Sequence, residues 1–227
     1  MTARFRDRRE AGQRLAAKLS TYANRPDVLV IGLPRGGVPV AAEVAKALHV
    51  PMDICLVRKL GVPGHKELAM GAIASGGVRV LNDEVLNWLK IPDAIVDSVA
   101  ARELKELDRR DRAYRGGRPP PNARDRTVIL VDDGLATGST MRAAIAALKA
   151  QQPHRIVVAV PVAAPDICQR MGDIADEVAC VMTPDPLDAI GFWYENFTQT
   201  TDAEVCEELE AYFADSSATS AIDGSCK

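Results

Sequence analysis

The sequence is poor in the residues that would indicate a metal centre, a disulfide scaffold or a membrane protein. Aromatic residues make up 4% of the 227 residues, and the three histidines are far apart in the chain. The five cysteines are scattered without any Cys-x-x-Cys spacing, which predicts free thiols in a reducing cytoplasm and no structural zinc. No apolar run approaches the ~20 residues that a membrane-spanning helix needs, so we expect no membrane partner.

Charge and short motifs exclude further classes of function. The formal net charge is −3 at pH 7, which gives no support for bulk nucleic-acid binding. Arginines cluster near the N-terminus without an apolar segment, so we do not expect a signal peptide. We interpret this cluster as the solvated face of a helix over residues 4–22, rather than as a phosphate site. The P-loop, dinucleotide and serine-hydrolase motifs are all missing. The clustered arginines are Arg6, Arg8, Arg9 and Arg14.

One stretch combines an apolar strand, two acids and a turn of small residues. Residues 128–131 are four β-favouring aliphatics, which is typical of a strand buried on both faces. Asp132 and Asp133 follow directly, then come two glycines and three hydroxyl side chains, and residues 141–150 are good helix formers. This order predicts a strand–loop–helix unit whose loop lies at the edge of an α/β sheet where ligands bind.

The turn has the chemistry of a phosphate site, and the acids have that of a diol site. The first residues of a helix present unpaired N–H groups and a partial positive charge, and a glycine lets the backbone close around an anion. Carboxylates would repel a phosphate, so Asp132 and Asp133 predict a diol or a metal ion as their partner. A phosphate beside a diol describes a ribose 5-phosphate, its phosphate held by Ala136, Thr137, Gly138, Ser139 and Thr140.

The same stretch resembles the phosphoribosyl pyrophosphate (PRPP) signature of type I phosphoribosyltransferases, in the form that adenine phosphoribosyltransferases carry. Residues 128–140 read Val-Ile-Leu-Val-Asp-Asp-Gly-Leu-Ala-Thr-Gly-Ser-Thr. The resemblance implies a doubly wound, mostly parallel α/β sheet, and it implies that Asp132 and Asp133 are catalytic and hold the ribose hydroxyls. It also implies Mg²⁺ as the cofactor. Because Mg²⁺ would arrive with PRPP, no direct protein ligand is expected, and the two acids would reach the metal through water.

A second strand–loop–helix unit precedes the first, with its strand at residues 27–33 and its helix at 40–48. Its loop contains Arg35, whose guanidinium group can donate two parallel hydrogen bonds to an anion, followed by Gly36 and Gly37, whose backbone is not restricted by a Cβ. Read alone, this loop is equally a plain turn. In the phosphoribosyltransferase interpretation it binds the pyrophosphate of PRPP, and the family often has a cis peptide bond here.

A pair of cations follows the next predicted strand, at residues 52–57. The resemblance implies that Arg58 and Lys59 contact the pyrophosphate and that Lys59 is catalytic. It further implies that residues 59–70 form a mobile loop that closes over PRPP. Periodicity predicts a hairpin or two short strands at 71–74 and 78–81, a helix at 92–114, and strands at 155–160 and 177–181.

Aromatic residues cluster only near the C-terminus, where four of them fall within residues 192–197. Planar rings stack on nucleobases, and this segment is similar to the base-stacking stretch of hypoxanthine-guanine phosphoribosyltransferases. A hydrophobic cap on the sheet edge is the alternative. Phe192 and Trp193 are the candidates for base binding. A helix at residues 201–213 is predicted to close the domain.

These features predict a single domain over residues 1–214, with its core at 27–182, a hood formed by 183–214 and the N-terminal helix, and a disordered tail at 215–227. The resemblance implies a cytoplasmic enzyme of purine salvage that transfers the phosphoribosyl group of PRPP to a nitrogen acceptor. The expected acceptor is a nucleobase, with a purine favoured, and pyrophosphate is released. The alternative is a non-catalytic PRPP- or nucleotide-binding regulator. Dimers are common in the family, so a homodimer remains open.

Overall fold

The computed structural model describes residues 4–75 and 77–223 and contains eight strands and seven α-helices in that part of the chain. The strands are β1 Val28–Gly32, β2 Met52–Ile54, β3 Val57–Val62, β4 His65–Ala74, β5 Arg79–Leu81, β6 Thr127–Val131, β7 Arg155–Val162 and β8 Glu177–Met182. The helices are α1 Arg8–Lys18, α2 Gly37–Leu48, α3 Asp83–Leu89, α4 Asp93–Arg115, α5 Ser139–Lys149, α6 Pro165–Gly172 and α7 Asp202–Asp223. Short 3₁₀ turns lie at Ser20–Tyr22 and Ile190–Trp193.

The main sheet is parallel and has the strand order β2-β1-β6-β7-β8. The chain starts in the interior of this sheet, adds β2 on one side, and then returns past β1 to build the other side. A smaller antiparallel sheet, β3-β4-β5, stands apart from it. The predicted doubly wound, mostly parallel α/β architecture is therefore confirmed. Its reversal point lies between β1 and β6, where open sheets of this kind bind ligands.

Successive side chains of the central strands point to opposite faces of the sheet, which divides the core into two layers. Val28 and Val30 of β1 pack in a cluster with residues of α1, α2, α4 and α7, whereas Leu29 and Ile31 pack with residues of α5 and α6. Every residue of β1 and β6 is buried, which explains their uninterrupted aliphatic sequences. Each fully buried aliphatic side chain contributes roughly 1.5–3 kcal/mol, so these strands hold their loops on a rigid base.

Residues 59–70, the segment for which the resemblance implies a mobile loop, form most of a β-hairpin. β3 pairs with β4 in antiparallel register, and the chain reverses at Gly64, whose φ of +81° suits glycine. Leu60, Val62 and Met70 are buried in the same cluster as α4, which gives the hairpin an apolar face to pack. β5 pairs with β4, so the short strands predicted after this segment are confirmed.

Several element boundaries differ from those expected. The strand predicted at 52–57 corresponds to β2 and the first residue of β3, which are separate strands: β2 belongs to the main sheet and β3 to the smaller one. The predicted N-terminal helix is shorter and becomes α1 with a following 3₁₀ turn. At the other end α7 continues to Asp223, ten residues beyond the predicted end at 213, so residues 215–223 are helical. The rest of the predicted tail, residues 224–227, lies outside the described residues.

No helix within residues 4–75 and 77–223 is both long and apolar enough to cross a bilayer. The four cysteines in this part of the chain are free thiols. Two of them, Cys168 on α6 and Cys180 on β8, have sulfur atoms 3.0 Å apart. Burial raises the pKa of the Cys180 thiol. Cys226 lies outside the described residues.

Candidate functional site

The two loops that the sequence singled out leave neighbouring strands at the same edge of the main sheet. β1 and β6 are parallel partners, with Gly32 opposite Val131 at their carboxyl ends. The loop after β1 leads through Arg35 into α2, and the loop after β6 leads through the acid pair into α5. The Pro34–Arg35 peptide bond is cis, as the resemblance implies. Strand pairing therefore brings together two loops that lie about a hundred residues apart in the chain.

Glycine is required where these loops touch. A Cβ atom on Gly36 would lie 1.9 Å from Oδ2 of Asp133, and one on Gly37 would lie 2.7 Å from the carbonyl oxygen of Val131 and 2.9 Å from Cα of Asp132. Such distances leave no space for a side chain. The predicted pyrophosphate loop and the predicted ribose acids are therefore in direct contact, and this contact depends on two glycines.

The predicted 5′-phosphate loop is assembled at the start of α5. Gly138 has a φ of +70° and caps this helix, which begins at Ser139 and has no acidic residue in its first turn. The side chains of Thr137, Ser139 and Thr140 are exposed, and the hydroxyls of Thr137 and Ser139 are 3.0 Å apart. Met171 supports the loop from behind, since its Cε lies 2.9 Å from the position of a Cβ on Gly138. Exposed N–H and O–H donors thus converge on one helix terminus.

Asp132 and Asp133 form a half-buried acid pair. The Asp133 amide donates to Oδ1 of Asp132 at 2.9 Å, and Arg8 Nε donates to Oδ2 of Asp133 at 2.8 Å. Burial raises the pKa of both carboxyl groups, and the neighbouring charge of Asp133 raises the pKa of Asp132 further. Arg8 opposes the rise in the pKa of Asp133. In the described part of the chain, Oδ2 of Asp132 and Oδ1 of Asp133 accept no hydrogen bond, and neither is sealed from solvent.

The three predicted cations have different surroundings. Arg35 Nη1 lies 3.6 Å from Oδ1 of Asp202, the first residue of α7. Lys59 is exposed on β3. Arg58, its neighbour, binds Glu103 on α4 through Nε and Nη2 at 2.9 and 2.6 Å. Because successive side chains of a strand point to opposite faces, Arg58 and Lys59 lie on opposite faces of β3. The structure directs Arg58 to α4 and does not bring it to the acid pair.

The aromatic segment covers the acid loop, but with a different residue from the two predicted. Ile190 packs on Gly134, where a Cβ would lie 2.6 Å from its Cγ2. Phe192 is 61% exposed, and Trp193 is half-buried against the cluster around Phe5. Tyr194 is buried, and its hydroxyl donates to the carbonyl oxygen of Asp133 at 2.7 Å. The hood therefore reaches the site through Tyr194.

The sequence interpretation missed Arg8. It treated the N-terminal arginines as a solvated face, yet the side chain of Arg8 is 12% exposed and contacts Asp133. The next residue, Arg9, agrees with the predicted solvated face, because its side chain is 56% exposed and forms ion pairs with Glu43 and Glu208. A signal was present, because Arg8 begins a helix, and a cation is disfavoured at the positive end of a helix unless tertiary contacts stabilise it.

Comparison with known proteins identifies the family. The family model described as the phosphoribosyl transferase domain matches residues 6–185. The chain belongs to the phosphoribosyl transferase family. A protein of Mycobacterium tuberculosis strain H37Rv, named provisionally as a phosphoribosyl transferase, is 46% identical over 219 residues, which cover 96% of this chain and 49% of that protein. The chain spans about half the length of the curated relatives that it matches.

A solved structure supports the same fold for this chain. The crystal structure of TT1426 from Thermus thermophilus has a TM-score of 0.84 at 42% identity and covers 92% of this chain and 99% of that chain. The family match ends at residue 185, so it includes both anion loops, the acid pair and Arg8. Residues 190–194 and α7 lie outside it.

Proposed function

We propose that this phosphoribosyl transferase moves the phosphoribosyl group of PRPP to a nitrogen acceptor and releases pyrophosphate. The observation that carries the proposal is the contact of Gly36 and Gly37 with Asp133 and Asp132 at the carboxyl ends of β1 and β6. This contact sets an anion loop, an acid pair and a second anion loop side by side. PRPP carries its 5′-phosphate, ribose hydroxyls and pyrophosphate in the same order.

The 5′-phosphate would bind at the N-terminus of α5. There the backbone N–H groups of residues 136–140 and the exposed hydroxyls of Thr137, Ser139 and Thr140 would turn to the phosphate as donors, in place of the contacts that Thr137 and Ser139 make with each other. Hydrogen bonds to a charged group contribute roughly 1.5–3 kcal/mol each. Several of them, aided by the partial positive charge of the helix terminus, would hold a phosphate monoester without a lysine.

The ribose hydroxyls would bind between the two carboxylates. Each carboxylate already uses one oxygen within the protein, so Oδ2 of Asp132 and Oδ1 of Asp133 remain to accept from two neighbouring hydroxyls. Side-by-side carboxylate oxygens also fit Mg²⁺ through bound water. When bound with PRPP, Mg²⁺ would neutralise charge on the leaving pyrophosphate. Ionised carboxylates near the ribose would stabilise positive charge that develops at the anomeric carbon.

The pyrophosphate would lie against the loop after β1. The Gly36 and Gly37 backbone lies against the acid pair, and Arg35 supplies a forked cation whose Nη1 is 3.6 Å from Asp202. Lys59, which is exposed on β3, the strand that directly follows β2 in the chain, would supply a second cation. These residues would position the leaving group, so catalysis would rest on orientation and electrostatics rather than on a covalent intermediate.

Release of pyrophosphate from Mg·PRPP tests the proposal. The assay takes adenine, hypoxanthine, guanine, xanthine, uracil and orotate in turn, and we expect one base to stimulate release, with a purine favoured. Calorimetric titration with Mg·PRPP runs in parallel. Binding without release by any base would point to a non-catalytic regulator of the same fold. Absence of both binding and release would contradict the proposed roles of the two loops.

The two adjacent cations on β3 provide a matched pair of variants. Lys59→Ala is expected to lower kcat/KM for PRPP by about 10- to 150-fold, the value of one charge-assisted hydrogen bond. Arg58→Ala removes the ion pair with Glu103, so it should lower Tm slightly and leave kcat/KM unchanged. Steady-state kinetics and thermal melts separate the two effects. The reverse result would move the pyrophosphate contact from Lys59 to Arg58.

The exposed ring of Phe192 provides a test of base stacking. Phe192→Ala is expected to raise KM for the acceptor by about 5- to 150-fold, as loss of one ring–base stack does, with KM for PRPP unchanged. Trp88→Ala, which removes a 72% exposed ring on α3, is the control. Equal acceptor KM values in both variants would assign the aromatic segment to packing alone.

A further inference from the structure

Arg8 occupies a position that the local structure of α1 disfavours. It is the first residue of α1, next to the positive end of the helix dipole, where cations are destabilising. Its side chain is nevertheless 12% exposed, and a charged side chain is seldom buried unless it is paired. An interaction outside the helix must therefore stabilise it.

Three contacts hold the guanidinium group. Nε donates to Oδ2 of Asp133 at 2.8 Å, Nη1 donates to the carbonyl oxygen of Thr198 at 2.7 Å, and the group lies 4.1 Å from the ring centroid of Phe197. A planar guanidinium can make all three contacts at once, whereas an ammonium group is a single point charge. Arg8 thus joins the acid loop to the hood.

The backbone around Arg8 is fixed on both sides. The Asp7 side chain caps α1 by accepting from the Glu10 amide at 2.9 Å. Phe5 donates to the carbonyl oxygen of Trp193 and accepts from the Glu195 amide, at 2.9 and 2.8 Å. Arg8 therefore approaches Asp133 from a rigid support rather than from a free arm.

We propose that Arg8 is a positioning residue, which holds Asp133 by Oδ2 in the orientation and charge state that let Oδ1 receive a ribose hydroxyl. This inference rests on the proposed function of the acid pair. The Gly36 backbone faces the same Oδ2, so this oxygen is directed into the protein. The other oxygen is consequently the one that a ligand can reach. Arg8 does not contact the reacting atoms in this arrangement; it acts through Asp133.

The charges around Arg8 fit this role. Asp132 is the like charge beside Asp133, and Tyr194 faces the pair from the hood as a neutral phenol, because burial raises its pKa. Glu204 on α7 also lies near Arg8. Hydrogen bonds with Thr201 are the main cause of its lowered pKa, and the charge of Arg8 lowers that pKa further. Arg8 is the one cation that contacts Asp133 within the described residues. Its removal should therefore shift the ionisation of Asp133 to higher pH.

Three variants test the inference. Arg8→Ala removes both the positive charge and the guanidinium group, whereas Arg8→Lys keeps the charge alone. Arg9→Ala is the matched control, since Arg9 pairs with Glu43 and Glu208. We expect Arg8→Ala to lower kcat/KM for PRPP by about 10- to 150-fold and to move the acidic limb of its pH profile to higher pH. Arg8→Lys should restore the pH profile but only part of kcat/KM, and Arg9→Ala should match the wild type.

A second measurement does not depend on turnover. The ¹³C carboxyl resonance of Asp133, assigned with Asp133→Asn, is titrated in the wild type and in Arg8→Ala, and we expect its midpoint to rise in the variant. An unchanged midpoint, or a pH profile of Arg8→Ala equal to that of Arg9→Ala, would overturn the inference while leaving the proposed transferase intact. A wild type that neither binds Mg·PRPP nor releases pyrophosphate would instead overturn the proposed function, whatever the midpoint.

Discussion

Asp132→Asn is expected to lower kcat by on the order of 100-fold or more while it makes the protein more stable. The activity falls because a neutral amide no longer stabilises positive charge at the ribose. The stability rises because the wild-type carboxylate is half-buried beside Asp133, and both burial and the like charge disfavour its ionised form. A gain of about 1 kcal/mol would raise Tm by about 2–4 °C in a domain of this size.

The dependence on pH should have opposite signs for activity and for stability. The folded-state pKa values of Asp132 and Asp133 are raised, so between about pH 4 and those values the folded protein binds more protons than the unfolded chain. The contribution of the pair to stability is fully present below the ordinary carboxyl pKa and is lost as pH rises through the raised values. Activity, which needs the ionised pair, should increase over the same interval.

Thermal melts and initial rates over a pH series check both effects. Asp97→Asn is the control, because Asp97 is a 68% exposed partner of Arg79 and its substitution should leave activity and Tm close to the wild type. A less stable Asp132→Asn would mean that the carboxylate contributes to folding. Full activity in that variant would remove Asp132 from the proposed ribose site.

Gly36→Ala, which adds a single methyl group to the loop after β1, should abolish most of the activity. The new Cβ would lie 1.9 Å from Oδ2 of Asp133 and 3.1 Å from Nε of Arg8, so the Asp133 carboxylate must leave its position against Gly36. A displacement of about 1 Å in such a site costs on the order of 100-fold in rate. The fold should survive, because Gly36 lies in the loop and the buried strand β1 is unchanged.

Gly172→Ala is the matched control for this substitution. Gly172 ends α6, has no atom within 4 Å of the added Cβ and does not have a positive φ, so activity should be unchanged. Circular dichroism establishes that both variants fold, and PRPP kinetics give the rates. Wild-type kinetics in Gly36→Ala would show that the two loops need not touch for catalysis.

The central fold and the two anion loops are predictable from sequence because their signals are local. A continuous aliphatic run such as residues 128–131 describes a strand buried on both faces, and the acids and small residues after it lie at the ligand-binding edge. The parallel topology then places the loop of residues 35–37 beside the acid pair, and no further information is needed to predict this. The sequence prediction of these placements needed only short-range pattern and the rule for parallel sheets.

The features that the sequence could not predict arise where a partner far along the chain determines the surroundings of a residue. Arg8 has the composition of a solvated residue, and only its contact with Asp133, 125 positions away, makes it part of the site. Arg58 resembles Lys59 in sequence, but Glu103 on α4 holds it. Residues 59–70 contain two glycines and a proline, which are typical of a loop, and packing in the cluster shared with α4 stabilises them as a hairpin. None of these partners has a local signature.

The link between Arg8 and the carbonyl oxygen of Thr198 joins residues 190 positions apart. During synthesis the strands and both anion loops are complete once Met182 has been made, and Tyr194 and Thr198 follow 12 and 16 residues later. A nascent chain that has already formed its central sheet would therefore still have an incomplete acid pair. The contact between Arg8 and Thr198 would therefore form only after the strands that support the acid pair have been made.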